Sequence, residues 1–114
     1  MSRNPADRLI DIAVACERIA EYAGRSEASD DLASDDLVFD AIRMRLVEIG
    51  EAVKELDDDA RGLAPEVPWA EIARMRDMLA HRNFDTTHAI VMATARNDVP
   101  RLAEAVRRML GREG

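Results

Sequence analysis

Apolar residues recur along this chain at intervals of three and four, the period of an α-helix that buries one face. Leu9, Ile12, Cys16, Ile19 and Ala23 form the first such stripe. It predicts a helix from about Pro5 to Ala23, with Asn4 as cap, Pro5 at the first helical position and Asp7 at the positive end of the dipole. Gly24 is expected to end it. Residues 24–35 read as a polar connection with room for one helical turn. Ser34 or Asp35 is expected to cap a second helix reaching about Asp57, whose stripe is Phe39, Ile42, Leu46, Ile49, Val53 and Leu56. Leu37, Ala41 and Met44 add a second apolar edge, which points to contact with a partner chain. Gly50 costs about 1 kcal/mol relative to Ala inside a helix, so its presence points to a neighbouring backbone passing close by.

Residues 57–68 read as a loop. A third helix opens at Pro68-Trp69 and runs to about Arg82. Asn83 to Asp85 is a break, with Asp85 as the next cap. The last helical stretch covers Thr86 to Leu110, with Met92, Ala95, Val99, Leu102, Val106 and Met109 in phase. That phase runs through Pro100, which should kink or split the helix without reversing it. No alternation of period two, glycine-rich phosphate loop or internal repeat is present. The expectation is one domain over residues 1–114, an all-α up-and-down bundle of four to five helices.

Composition narrows this further. Of the 114 residues, 47% are apolar but only 4% aromatic, so the core must be aliphatic. No apolar run approaches the roughly 20 residues that span a bilayer. The N-terminus lacks a signal-peptide pattern, and a soluble cytoplasmic protein is expected. Cys16 is the only cysteine, which excludes an internal disulfide and a cysteine-based zinc cage. The net charge of −7 argues at first against a nucleic-acid partner, but its distribution does not. Residues 1–73 carry 8 basic and 18 acidic side chains; residues 74–114 carry 8 basic, all Arg, and 5 acidic. Such arginines suit bidentate phosphate contacts or pair within the fold, and charge alone leaves both open.

The third helix carries the candidate chemistry. Trp69, Ile72, Met75 and Leu79 share its core side. His81 falls roughly opposite, among Ala70, Ala73, Asp77 and Ala80. Asp77 lies four residues before His81, a spacing that lets a carboxylate orient an imidazole and favour its protonated form. Arg76 lies five before, about 140° around and about 7.5 Å along an ideal helix. The two converge if the long arginine reaches, if the helix ends near His81, or if a second chain brings its own copy. Otherwise His81 is a helix-terminal histidine and Arg76 a surface ion-pair residue. His88 shares no metal-ligand spacing with His81, and no metal or other cofactor is expected.

Arg76-Asp-Met-Leu-Ala-His81 resembles the Arg-x4-His motif of HEPN-domain ribonucleases. The wider context is similar to the HepT toxin family. Ile49-Gly-Glu-Ala-Val-Lys54, Val67-Pro-Trp-Ala-Glu-Ile-Ala-Arg-Met-Arg76 and Asn97-Asp-Val-Pro-Arg-Leu102 carry the likeness, which extends from about Arg8 to Val106. The resemblance implies a HEPN-like helical toxin of a type II toxin–antitoxin system. It implies a homodimer in which two Arg-x4-His motifs meet at a cleft, cleavage of RNA without a metal, and a minimal nucleotidyltransferase (MNT) antitoxin as partner. Family members commonly carry Tyr two residues after the motif histidine, where some antitoxins attach AMP. Here that position is Asn83, which has no phenolic hydroxyl. Neutralisation by direct binding is therefore expected, or partial loss of activity.

Metal-free cleavage needs the ribose 2′-OH to lose a proton as it attacks phosphorus and the departing 5′-oxygen to gain one. A histidine titrating near neutrality suits either step. The scheme makes His81 base or acid, with its dimer mate as the other. Arg76 clamps the phosphate, Asp77 orients the ring, and Arg74 and Arg82 hold flanking phosphates. Two rivals remain: a catalytically silent helical partner of a nucleotidyltransferase, and a nucleotide-binding HEPN module.

Overall fold

The computed structural model describes the backbone of residues 4–28, 32–81 and 88–113, and within these the side chains of 4–25, 36–79 and 89–111. The helices are α1 (Pro5–Ala28), α2 (Leu32–Lys54), α3 (Asp58–Gly62), α4 (Trp69–His81), α5 (His88–Ala93) and α6 (Val99–Glu113). A π-helical turn, Thr94–Asp98, joins α5 to α6. Among the described residues there is no strand, so the all-α bundle expected from the periodicity is what forms.

The predicted stripes are the core. Leu9, Ile12, Cys16, Ile19 and Ala23 of α1 are buried against Phe39, Ile42, Leu46, Ile49 and Val53 of α2. Val99, Leu102, Val106 and Met109 seat α6 on α1. Each fully buried Leu, Ile or Val contributes about 1.5–3 kcal/mol, so these seams dominate stability. Burial also pushes the Cys16 thiol up to about 12, with lesser opposing and supporting effects from Arg107 and Glu17. It is a packing residue rather than a nucleophile.

Several boundaries differ from the sequence reading. α1 runs past Gly24 to Ala28. Gly24 does not adopt a positive φ and its Cα faces open space, so nothing there stops a helix. α2 begins at Leu32, which puts Ser34 and Asp35 inside the helix rather than at its cap, and it ends at Lys54 rather than Asp57. The 57–68 loop contains α3, whose cap is Asp57: its carboxylate accepts from the Ala60 N–H at 2.8 Å. Asp58 and Asp59 then sit at the positive end of that short helix, where acidic residues are favoured. The predicted break at Asn83–Asp85 and cap at Asp85 lie outside the described residues.

Pro100 acts as expected, with a specific local solution. Proline removes an N–H and crowds the carbonyl four residues back. The chain widens by one residue just before it, so the Val99 N–H bonds to Thr94 O and the helix continues in the same direction.

Candidate active site on the α2–α4 face

α2 and α4 run antiparallel and cross at Gly50. A Cβ built on Gly50 would stand 2.2 Å from Arg76 Cβ and 3.3 Å from Arg76 Cα. Only glycine allows this approach, which accounts for its presence in a helix interior. The N-terminal end of α4 is fixed separately. Trp69 is buried, and its ring N–H is shared between the carbonyls of Arg61 and Ala64, each at 3.1 Å. Arg61 in turn donates to Val53 O at 2.8 Å, closing the end of α2.

With the crossing set, Arg76 lies against α2. Its Nη2 donates to Glu51 Oε1 at 3.0 Å and its Nη1 to Asp77 Oδ1 at 3.2 Å. Lys54 Nζ donates to the same Asp77 oxygen at 2.5 Å. The Arg76 side chain is 26% exposed, while Glu51 and Asp77 are more than half exposed. Arg76 Nε is buried without a hydrogen-bond partner. Four charges thus alternate along one surface strip, Glu51, Arg76, Asp77 and Lys54, with no net charge. Hydrogen bonds from Lys54 first, and Arg76 second, hold the Asp77 carboxyl below its ordinary range. Glu51, then Asp77, push the Arg76 guanidinium further above its already high value. Both groups are therefore ionised at any physiological pH.

Asp77, expected to orient His81, has Lys54 and Arg76 as its described partners. His81 is the last residue of α4, one turn beyond Asp77. Arg74 is exposed and lies about 200° around α4 from Arg76, away from this strip. Arg82 and Asn83 lie outside the described residues. In the sequence, Glu51 and Lys54 stand only within a block of family similarity, with no spacing of their own that marks a chemical role. Their signal is the Gly50-Glu51 pair, which puts a carboxylate beside the glycine that lies against Arg76.

A concavity of about 660 Å³ lies between α4 and α6. Leu46 and Ile49 floor it, and Ile72, Met75 and Leu102 line its walls. These include the core-side residues of α4 that stay partly exposed. Arg76 does not line it, so it is distinct from the charged strip. Among the described residues, no group of three or more His, Cys, Asp or Glu could hold a metal ion. No described helix is long and apolar enough to cross a membrane.

Comparison with known proteins gives the family. The family described as Ribonuclease HepT-like matches residues 12–109. A Thermococcus cleftensis protein named "Probable ribonuclease HepT" is 39% identical over 102 residues, covering 90% of this chain and 92% of that protein. A Caldanaerobacter subterraneus subsp. tengcongensis protein bearing an RNase designation is 33% identical over 111 residues, covering 97% of this chain and 98% of that one. No solved structure matches significantly. Both the extent of the family match and these full-length likenesses lead to one conclusion: the chain belongs to the HepT-like ribonuclease family.

Proposed function

We propose that this protein is the toxin of a type II toxin–antitoxin pair and cleaves RNA without a metal ion. The observation that carries the reading is Arg76. It is a permanent cation, anchored at a glycine-enforced helix crossing, one and a half turns before His81 on the same helix. An RNA phosphate entering the strip competes with Glu51 and Asp77 for the guanidinium fork. Lys54 already compensates Asp77, so Asp77 can release Arg76 without being left unpaired. Arg76 then stabilises charge on the non-bridging oxygens. His81 removes the 2′-OH proton or protonates the 5′-oxygen, and the copy from a second protomer serves the complementary step. DNA lacks the 2′-OH and is not cut.

A dimer suits this scheme because one chain offers one motif histidine. Leu37 and Met44, at 71% and 52% exposure, leave the second edge of α2 uncovered for a partner copy. The inhibitory partner is a nucleotidyltransferase antitoxin that acts by binding, since Asn83 cannot accept AMP as tyrosine does.

The test is digestion of total cellular RNA in EDTA by wild type, Arg76→Ala and His81→Ala. Wild type should yield fragments ending in 2′,3′-cyclic phosphate, and both substitutions should abolish them. Cleavage that chelation removes would overturn the metal-free step. Cleavage unchanged in His81→Ala would overturn the role of the motif.

A further inference from the structure

We infer that Arg43 is a positioning residue for RNA cleavage: from α2 it bonds the backbone of the α4 turn that carries His81. This rests on the reading of His81 given above. The carbonyl that Arg43 reaches is Leu79 O, two residues before His81 on α4. Arg43 Nη1 donates to it at 3.0 Å, across a sequence separation of 36 residues. The Arg43 side chain is half-buried, and Leu79 itself is fully buried beneath the contact.

A charge-assisted bond from a packed neighbouring helix holds the turn more firmly than water would. Arg43 and Gly50 lie two turns apart on α2, and they meet α4 at Leu79 and Arg76 respectively. One face of α2 therefore meets both the clamp residue and the turn that carries the histidine. Arg43 need not touch RNA to matter. It acts through the backbone of the turn.

The test compares Arg43→Ala and Arg43→Lys with wild type and His81→Ala. Arg43→Ala should lower kcat about tenfold with KM within about twofold, matching the loss of one charged hydrogen bond. Arg43→Lys should recover part of kcat, and added guanidinium ion should rescue Arg43→Ala while leaving His81→Ala inactive. A raised KM with unchanged kcat would overturn the inference, because Arg43 would then be binding RNA itself. Equal loss in the Ala and Lys variants, with no guanidinium rescue, would also overturn it. Amide hydrogen exchange supplies an arm that needs no RNA. Leu79, Ala80 and His81 should exchange about tenfold faster in Arg43→Ala, and unchanged protection there would sink the inference whatever the kinetics show. RNA cleavage by His81→Ala at the wild-type rate would remove the catalytic turn itself. That failure of the parent reading is recognised by loss of protection in Arg43→Ala without any kinetic consequence.

Discussion

The two ends of α4 are held by different physics. At the N-terminal end, Trp69 is buried and its ring nitrogen bonds two carbonyls of the preceding segment. At the C-terminal end, a half-buried arginine from another helix reaches one carbonyl, and the turn before it is held by an exposed strip of alternating charges. The first end is fixed by burial, which is strong and indifferent to salt or pH. The second also rests on a buried residue, Leu79, but it adds charged contacts, and those of the strip lie near water, where they are weak and screened by salt. A helix so built keeps its place while the side that carries Arg76 stays partly exposed.

Breaking the buried end should have the largest effect. Trp69→Ala removes a core ring and leaves the carbonyls of Arg61 and Ala64 without its N–H. A loss of about 3–5 kcal/mol is expected by chemical denaturation. That is a large share of the total stability of a domain this size. A destabilisation below about 1 kcal/mol would show that the ends are not so different.

Gly50→Ala probes the middle of the helix, where the two regimes meet. The new methyl collides with Arg76 Cβ and presses on its backbone. Overpacking of this kind costs about 1–3 kcal/mol, against which improved helix propensity returns about 1 kcal/mol at most. The variant should melt several degrees lower and lose RNA cleavage more than its stability loss explains, because Arg76 is displaced. A variant as stable and active as wild type would mean that α4 does not need this approach.

Glu51→Gln addresses the charged end alone. It keeps the size of the side chain and releases Arg76 from one carboxylate. KM for RNA should fall, by no more than about fivefold, with the benefit shrinking as salt rises. A higher KM would place Glu51 on the side of substrate binding rather than competition.

The smallest effect is in acid. Hydrogen bonds from Lys54 and then Arg76 hold the Asp77 carboxyl below the ordinary aspartate range, so its contribution to stability is fully present above that range and is lost as pH falls through the lower, folded value. Denaturation midpoints of wild type and Asp77→Asn should therefore keep their full separation above about pH 4 and draw together as the pH falls below it. Midpoints that differ equally at pH 3 and pH 7 would show that the Lys54 and Arg76 contacts contribute nothing through charge.

Much of the scaffold was legible in the residue order. Stripes such as Leu9–Ile12–Cys16–Ile19 and Ile42–Leu46–Ile49–Val53 announce both a helix and its buried side, because helical period is a local property. The mis-set ends have local causes too. Gly24 looked like a stop signal, but glycine terminates a helix only where the backbone turns left-handed, and here it does not. The run Asp57-Asp58-Asp59 looked like solvated loop, although it is also what a capped short helix asks for at its positive end.

By itself, then, the sequence determined an aliphatic helical bundle, the close approach at Gly50, the disturbance at Pro100 and the placing of Arg76 and His81 on one helix. Only the tertiary structure decided what those groups meet. Arg76 facing Glu51, Lys54 reaching Asp77 and Arg43 reaching Leu79 O all join α2 to α4 across 23 to 36 residues of chain. Such pairs depend on how far each helix is rotated about its own axis when the apolar stripes interlock. That rotation is fixed by close packing of the whole core, and no stretch of sequence short enough to show a pattern contains it.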